Sequence, residues 1–166
     1  MNLTALPIDP PSDAAIDRLI IEPLIGARQL RADDRHLVDL GSGGGSPAIP
    51  MKLAAPWVRL TMVEVREKKA AFLREAARSL RLESVSVRAV RVEEIERLEV
   101  PANVVSLRAI LVNDQTESAI LRVLEAPGRI FWFRSQSDQT TMKGFGIEER
   151  IRLPGDGDEL LVLARS

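Results

Sequence analysis

The residues of this chain best suited to chemistry stand in one short run, Asp39-Leu40-Gly41-Ser42-Gly43-Gly44-Gly45. Apolar residues lead into it from His36, and a helix-forming stretch follows it. Glycines at a strand-to-helix turn let the backbone bend tightly and let a ligand come close, where a side chain would stand in the way. The helix start beyond offers unpaired N–H groups to a polar ligand. A sharp turn would use the same glycines, so the loop alone does not decide. Its surroundings add weight. Glu64 ends the next apolar run, about 20 residues further on, where nucleotide-binding α/β proteins set an acid against ribose hydroxyls. Taken alone, Glu64 reads equally well as a solvated carboxylate at a strand end.

Other chemistry is bounded by composition. The chain has no cysteine, which excludes disulfides, thiolate metal sites and a Cys nucleophile. Its single histidine, His36, excludes a multi-histidine metal site, so no metal is expected. His36 itself, at a strand start, reads as structural. The formal net charge is −1, unlike that of a strongly basic nucleic-acid-binding domain, although a balanced total can hide one basic face. No apolar run approaches the roughly 18 residues of a membrane span. Met1 to Pro11 hold no Lys or Arg, so no secretory leader is expected and the location is expected to be cytoplasmic.

The elements that must position the loop can be read from periodicity. Ser12 or Asp13 caps a helix with apolar Ile16, Leu19, Ile20, Leu24 and Ile25, and Pro23 predicts a kink or break in it. Strands are predicted at His36–Leu40, Val58–Val63, Val85–Val90, Asn103–Leu107 and Arg129–Phe133. Helices are predicted from near Pro47 to about Ala55, over Arg66–Leu82, Glu93–Leu98 and Thr116–Leu124. The apolar face of the second of these is Ala70, Leu73, Ala77 and Leu80. Pro7, Pro10 and Pro11 make the N-terminus irregular, and Ser135 to Gly146 reads as loop. Ile147–Leu153 and Leu160–Ala164 close the chain as a hairpin turned by Pro154-Gly155-Asp156-Gly157. Strands alternating with helices imply an α/β fold, a mainly parallel sheet with helices on both faces, and the hairpin makes one strand antiparallel. One domain is expected over 1–166, with a helical lead-in over 1–35 and a sheet core over 36–166.

A dinucleotide loop would complete Gly41-x-Gly43 with a glycine at position 46, which is Ser46. The run instead resembles the acid-x-Gly-x-Gly-x-Gly loop of Rossmann-like class I methyltransferases, which bind S-adenosyl-L-methionine (AdoMet). A dinucleotide oxidoreductase stays as a lesser alternative. A wider stretch, from about Ile20 to Ile110, resembles the RsmG or GidB family of small-subunit ribosomal RNA methyltransferases. The residues that carry this are Val38-Asp39-Leu40-Gly41-Ser42-Gly43-Gly44-Gly45-Ser46-Pro47-Ala48-Ile49-Pro50, then Glu64-Val65-Arg66-Glu67-Lys68-Lys69 and Phe72-Leu73-Arg74-Glu75. Leu82-Glu83-Ser84-Val85, Arg91-Val92-Glu93-Glu94 and Leu107-Arg108-Ala109 follow in the same order.

The resemblance implies methyl transfer from AdoMet to guanine N7 of ribosomal RNA. It implies a cofactor site at Gly41, Ser42, Gly43, Gly45, Ser46, Glu64, Val92 and Glu93, with Val92 and Glu93 beside the adenine. Arg108 is implied at the edge where cofactor and acceptor meet, as the catalytic candidate, and Arg108→Ala is expected to stop transfer while leaving the fold intact. N7 carries a lone pair, so alignment suffices and no base is needed. Arg66, Lys68, Lys69, Arg74, Arg91, Arg108 and Arg134 are the candidates for RNA contact. The chain departs from the family in a shorter lead-in, in Leu107 where a serine is usual, and in Arg134-Ser135 where Lys-Gly is usual. These departures keep open a non-catalytic AdoMet-binding or interaction module and a small-molecule methyltransferase. They also suggest an apolar patch that a second copy would cover in a homodimer.

Overall fold

The computed structural model describes residues 11–155 and 157–165. Pro7, Pro10 and Asp156, for which sequence gives an irregular start and a turn, lie outside them. The helical lead-in consists of α1 (Asp13–Ile16), a π-helical stretch (Asp17–Ile21) and α2 (Glu22–Ala27). Ser12 caps it, its side chain accepting from the Ala15 N–H. Of the kink or break expected near Pro23, the helix shows no break but an irregular π stretch just before the proline. Pro23 has no N–H to give, and the wider π turn just before it lets the helix continue past the proline.

Seven strands follow: β1 (His36–Leu40), β2 (Arg59–Val63), β3 (Val85–Arg88), β4 (Ala102–Arg108), β5 (Leu124–Ser135), β6 (Phe145–Arg152) and β7 (Asp158–Arg165). They form one sheet in the order β3-β2-β1-β4-β5-β7-β6. The first five strands run parallel and β7 lies antiparallel between β5 and β6. The order reverses between β1 and β4, which opens a crevice at the carboxyl ends of these strands. All five residues of β1 are buried, as expected of a central strand covered on both faces.

Helices α3 (Ala48–Ala54), α4 (Glu67–Ser79) and α5 (Asp114–Val123) complete the layers. One apolar cluster, with Leu37, Met51, Leu60, Leu73 and Phe133, fills the α2–α3–α4 side. A second, with Val38, Leu107, Ile120, Val123 and Trp132, fills the α5 side. Neighbours Trp132 and Phe133 thus serve opposite faces of β5, as a strand dictates.

Several boundaries differ from the expected ones for visible reasons. Helix α4 stops at Ser79, because Arg81 turns left-handed (φ 52°). The Arg81 N–H then bonds Arg78 O and the Leu82 N–H bonds Ala77 O, which closes the helix. Leu80 therefore stays 47% exposed and is not part of the buried face. The helix expected over Glu93–Leu98 is one 3₁₀ turn, Val92–Glu94, after which the chain extends and buries Ile95. Strand β5 begins earlier than expected and accommodates Pro127-Gly128 as an irregularity against β4. Strand β6 takes in Phe145 and Gly146 from the expected loop.

Candidate functional site

The glycine loop leaves β1 at the crevice. Gly41 and Ser42 N–H groups both donate to Val63 O at 2.9 Å, which ties the loop to the end of β2. Gly41 adopts φ +73°, and a Cβ there would lie 2.5 Å from Ile110 Cγ2, so the position requires glycine on two counts. The Gly43 N–H donates to Glu64 Oε2 at 2.8 Å and the Arg66 N–H to Oε1 at 2.8 Å. The Glu64 carboxylate is thereby held still, 7% exposed, in the wall of the crevice.

Beneath the loop lies a second carboxylate. Asp39 is 1% exposed; its Oδ1 accepts the Ser106 hydroxyl at 2.6 Å, and its Oδ2 finds no partner. Burial pushes its carboxyl up to about 6, against the pull of Ser106, Ser42 and Arg108.

A groove of about 330 Å³ opens beside these groups, lined by Gly41, Val63, Glu64, Val65, Arg91, Val92, Glu93, Ile110, Leu111, Asn113 and Thr116. It brings together Gly41, Glu64, Val92 and Glu93 of the expected site. Sequence reasoning missed its far wall. Asn113 there caps α5, accepting from the Gln115 and Thr116 N–H groups, and an Asn ahead of a helix was a legible signal.

The other expected residues lie elsewhere. Ser42 donates inward to Asp39 O at 3.1 Å, and Ser46 donates to Leu19 O at 3.0 Å in the π stretch. Gly43 and Gly45 shape the loop without lining the groove. Gly45 packs on the core, where a Cβ would meet Ile49 Cδ1 at 2.6 Å.

Arg108 ends β4 outside this groove. Its Nη2 donates to Glu22 Oε2 at 2.5 Å and its Nη1 to Arg18 O at 2.5 Å, and its guanidinium lies 4.6 Å above the Phe133 ring. The pair is buried, the side chains 10% and 4% exposed. Desolvation raises the Glu22 carboxyl above its usual range despite the arginine, and lowers Arg108. Arg108 lines a separate recess of about 210 Å³ with Arg18, Glu22, Ala109, Phe133 and Asp158.

Of the cations singled out for RNA, Arg66, Lys68 and Lys69 stand exposed at the start of α4 and Arg91 rims the groove. Arg74 is spent on Glu67 (3.9 Å) and Val87 O (3.4 Å). Arg108 and Arg134 are buried in ion pairs. His36 sits at the opposite, amino end of the sheet. Its Nδ1–H donates to Val100 O at 2.8 Å, Nε2 meets the Thr61 hydroxyl at 2.9 Å, and burial lowers its pKa, a structural role.

Comparison with known proteins fits this arrangement. The profile of the GidB family, described as rRNA small subunit methyltransferase G, matches residues 2–151. The chain belongs to this family. A ribosomal RNA small subunit methyltransferase G from Syntrophotalea carbinolica is 30% identical over 99% of this chain and 81% of its own length. One from Neisseria gonorrhoeae is 40% identical over 85% of this chain and 60% of its own. One from Sorangium cellulosum is 42% identical over 57% and 39%. The chain thus spans as little as two fifths of some of the curated relatives it matches. Among solved structures, a SAM dependent methyltransferase from Aquifex aeolicus superposes with a TM-score of 0.73 over 93% of this chain and 94% of its own, at 11% identity. The mitomycin 7-O-methyltransferase superposes with 0.73 over 88% and 53%, at 16% identity. The fold is therefore that of Rossmann-like AdoMet-dependent methyltransferases, with antiparallel pairing confined to the C-terminal strands.

Proposed function

We propose that this GidB-family chain transfers the methyl group of AdoMet to guanine N7 of small-subunit ribosomal RNA in the cytoplasm. The observation that carries the reading is the groove at the sheet reversal, where a glycine with no room for a side chain faces a fixed, buried carboxylate. The residues fit a cationic nucleoside cofactor. Glu64 keeps lone pairs for ribose hydroxyls beyond the two backbone N–H groups it already accepts. Val92 and Ile110 offer apolar walls for a base and Glu93 a polar rim. The unsatisfied Asp39 Oδ2 beneath the loop favours a ligand carrying positive charge. Gly43, Gly45, Ser42 and Ser46 hold the loop in shape. The bound cofactor supplies an electrophilic methyl on a sulfonium.

The chain's own work is alignment. N7 attacks with its lone pair, so no side chain has to take a proton first. The recess beside Arg18, Ala109 and Arg108 lies on the acceptor side, and Arg66, Lys68, Lys69 and Arg91 provide charge for phosphates. No helix among the described residues is long and apolar enough to cross a membrane. The uncovered Ile16, Leu19, Ile20, Ile21 and Leu24 of the lead-in, 37–47% exposed, support self-association, testable by light scattering across concentration.

The test begins with calorimetric titration of AdoMet and its demethylated product into wild type and Glu64→Ala. Mass-spectrometric quantification of 7-methylguanosine in small-subunit RNA follows. Saturable binding weakened by the variant, with methylation above the variant's level, supports the proposal; methylation no higher than in the variant refutes it. One observation favours a second reading, a cofactor-binding module without transfer. Arg108, the catalytic candidate, is tied to Glu22 and Arg18 O. That reading expects AdoMet binding with no methyl delivered to RNA.

A further inference from the structure

At the end of the carboxyl edge furthest from the glycine loop, three strands bring charged residues onto one face. Register sets Arg134 of β5, Glu159 of β7 and Arg152 of β6 side by side. Arg150, two residues before Arg152, shares that face. Glu159 is 2% exposed and takes two of the arginines, accepting from Arg134 Nε at 3.1 Å through Oε1 and from Arg150 Nη1 at 2.6 Å through Oε2. Arg134 is fixed further, stacked 4.6 Å over the Trp132 ring and donating to Thr140 O at 2.7 Å. Arg152 is exposed, and no ion pair engages it among the described residues.

Gln136, Arg150, Arg152 and Glu159 enclose an open pocket of about 380 Å³. Arg134 already satisfies the charge of buried Glu159. Arg150 and Arg152 therefore leave surplus positive charge, half-exposed in a concavity where the field is focused. The nearby carboxylate of Asp138 is turned into its own loop, accepting from the Thr140 N–H at 2.9 Å. The Arg150 guanidinium, held by a buried acid, and the exposed Arg152 fork match the oxygen spacing of a phosphate, and the Gln136 amide adds a neutral donor.

We propose that this pocket is a subsite for a backbone phosphate of the RNA substrate. Arg150 and Arg152 contact the phosphate, and Glu159 with Arg134 positions Arg150. The proposal rests on the RNA reading above. Three strand spacings, about 14 Å, separate β6 from β4 along the carboxyl edge, and the pocket lies on the Trp132 face of the sheet, whereas Arg108 packs over Phe133 on the other. Such a contact fixes register and carries no base identity.

The test uses the whole chain with Arg150→Gln, Arg152→Gln and the double variant, all of which leave Arg134–Glu159 in place. AdoMet calorimetry checks that fold and cofactor site are intact. Affinity for a transcribed small-subunit ribosomal RNA is then measured at salt concentrations between about 50 and 200 mM. Loss of one phosphate contact should lower the slope of log K against log salt by about 0.7–0.9 in the double variant, with weaker binding throughout. Arg152→Lys should keep the wild-type slope, because it keeps the charge. A double variant that binds with the wild-type slope overturns the subsite. If wild type binds AdoMet but no RNA, the RNA reading fails instead, and a pyrophosphate titration followed by the Arg Nε–H NMR signals decides the subsite alone. Shifts at Arg150 and Arg152 would support it, and silence there would overturn it.

Discussion

Replacing Asp39 by asparagine tests the electrostatics under the glycine loop. Asp39 is fully enclosed, bonded through one oxygen to Ser106, and its carboxyl is pushed up to about 6 from 3.8. An acid whose folded pKa is raised holds a proton that the unfolded chain has released. Stability therefore rises as pH falls through about 6, and the gain is complete below 3.8. Between about pH 8 and pH 5 this one group should add about 1.4 kcal/mol to the wild type. The asparagine amide would still accept the Ser106 hydroxyl through its Oδ1 but cannot titrate. Urea unfolding followed by circular dichroism at unit pH steps gives the difference between the two proteins. Glu22, with a raised pKa, and His36, with a lowered one, titrate in both and cancel. The Asp39→Asn variant should lose about 1.4 kcal/mol relative to wild type over the same pH interval. A stability difference that stays flat over this range would refute the buried, half-satisfied carboxylate.

Gly41→Ala should destabilise the fold by about 2 kcal/mol and abolish AdoMet binding, because it combines φ +73° with a clash on Ile110. Gly44→Ala, with open space around it, should change stability by less than about 0.5 kcal/mol, and equal losses in the two would show that the loop is not held as described. Arg108→Ala strands Glu22 in the interior and should cost about 3–5 kcal/mol in urea unfolding, so this variant should weaken the fold as well as any transfer, contrary to the expectation from sequence; a loss under about 1 kcal/mol would mean that the pair is open in solution. Arg81→Gly relieves a left-handed residue at the end of α4 and should raise stability by up to about 1 kcal/mol, with no effect on cofactor affinity.

What the sequence made legible was mostly backbone. The positive φ of Gly41, Gly43 and Gly45 and the alternation of strand and helix are local demands, and local residue types announce them. Glu64 was legible for a similar reason, since its place at the end of β2 follows from strand order alone. The end of α4 was not, because the residue that turns left-handed is Arg81 and not the glycine that usually marks such a stop. The far wall of the groove, Ile110 to Thr116, escaped because its residues are ordinary until the crossover brings them against Glu64.

Arg108 shows how a residue's strand position can be legible in the sequence while its partner is not. Its strand position was set by β4, but its partner Glu22 is 86 residues away, on a helix whose course depends on how Pro23 is accommodated. A break at Pro23 would have carried Glu22 away from the sheet. The π stretch instead keeps the helix intact and turns the carbonyls of Arg18 and Leu19 toward Arg108 and Ser46. Two residues that the family resemblance places at the site are thus held by one irregular turn of the lead-in. If Arg108 serves the proposed transfer, either the guanidinium acts from its place on Glu22 or the lead-in moves. Glu22→Gln separates the two routes. It keeps a hydrogen-bond acceptor for Arg108 but removes the charge, so an unchanged transfer rate supports action in place and a faster one supports release.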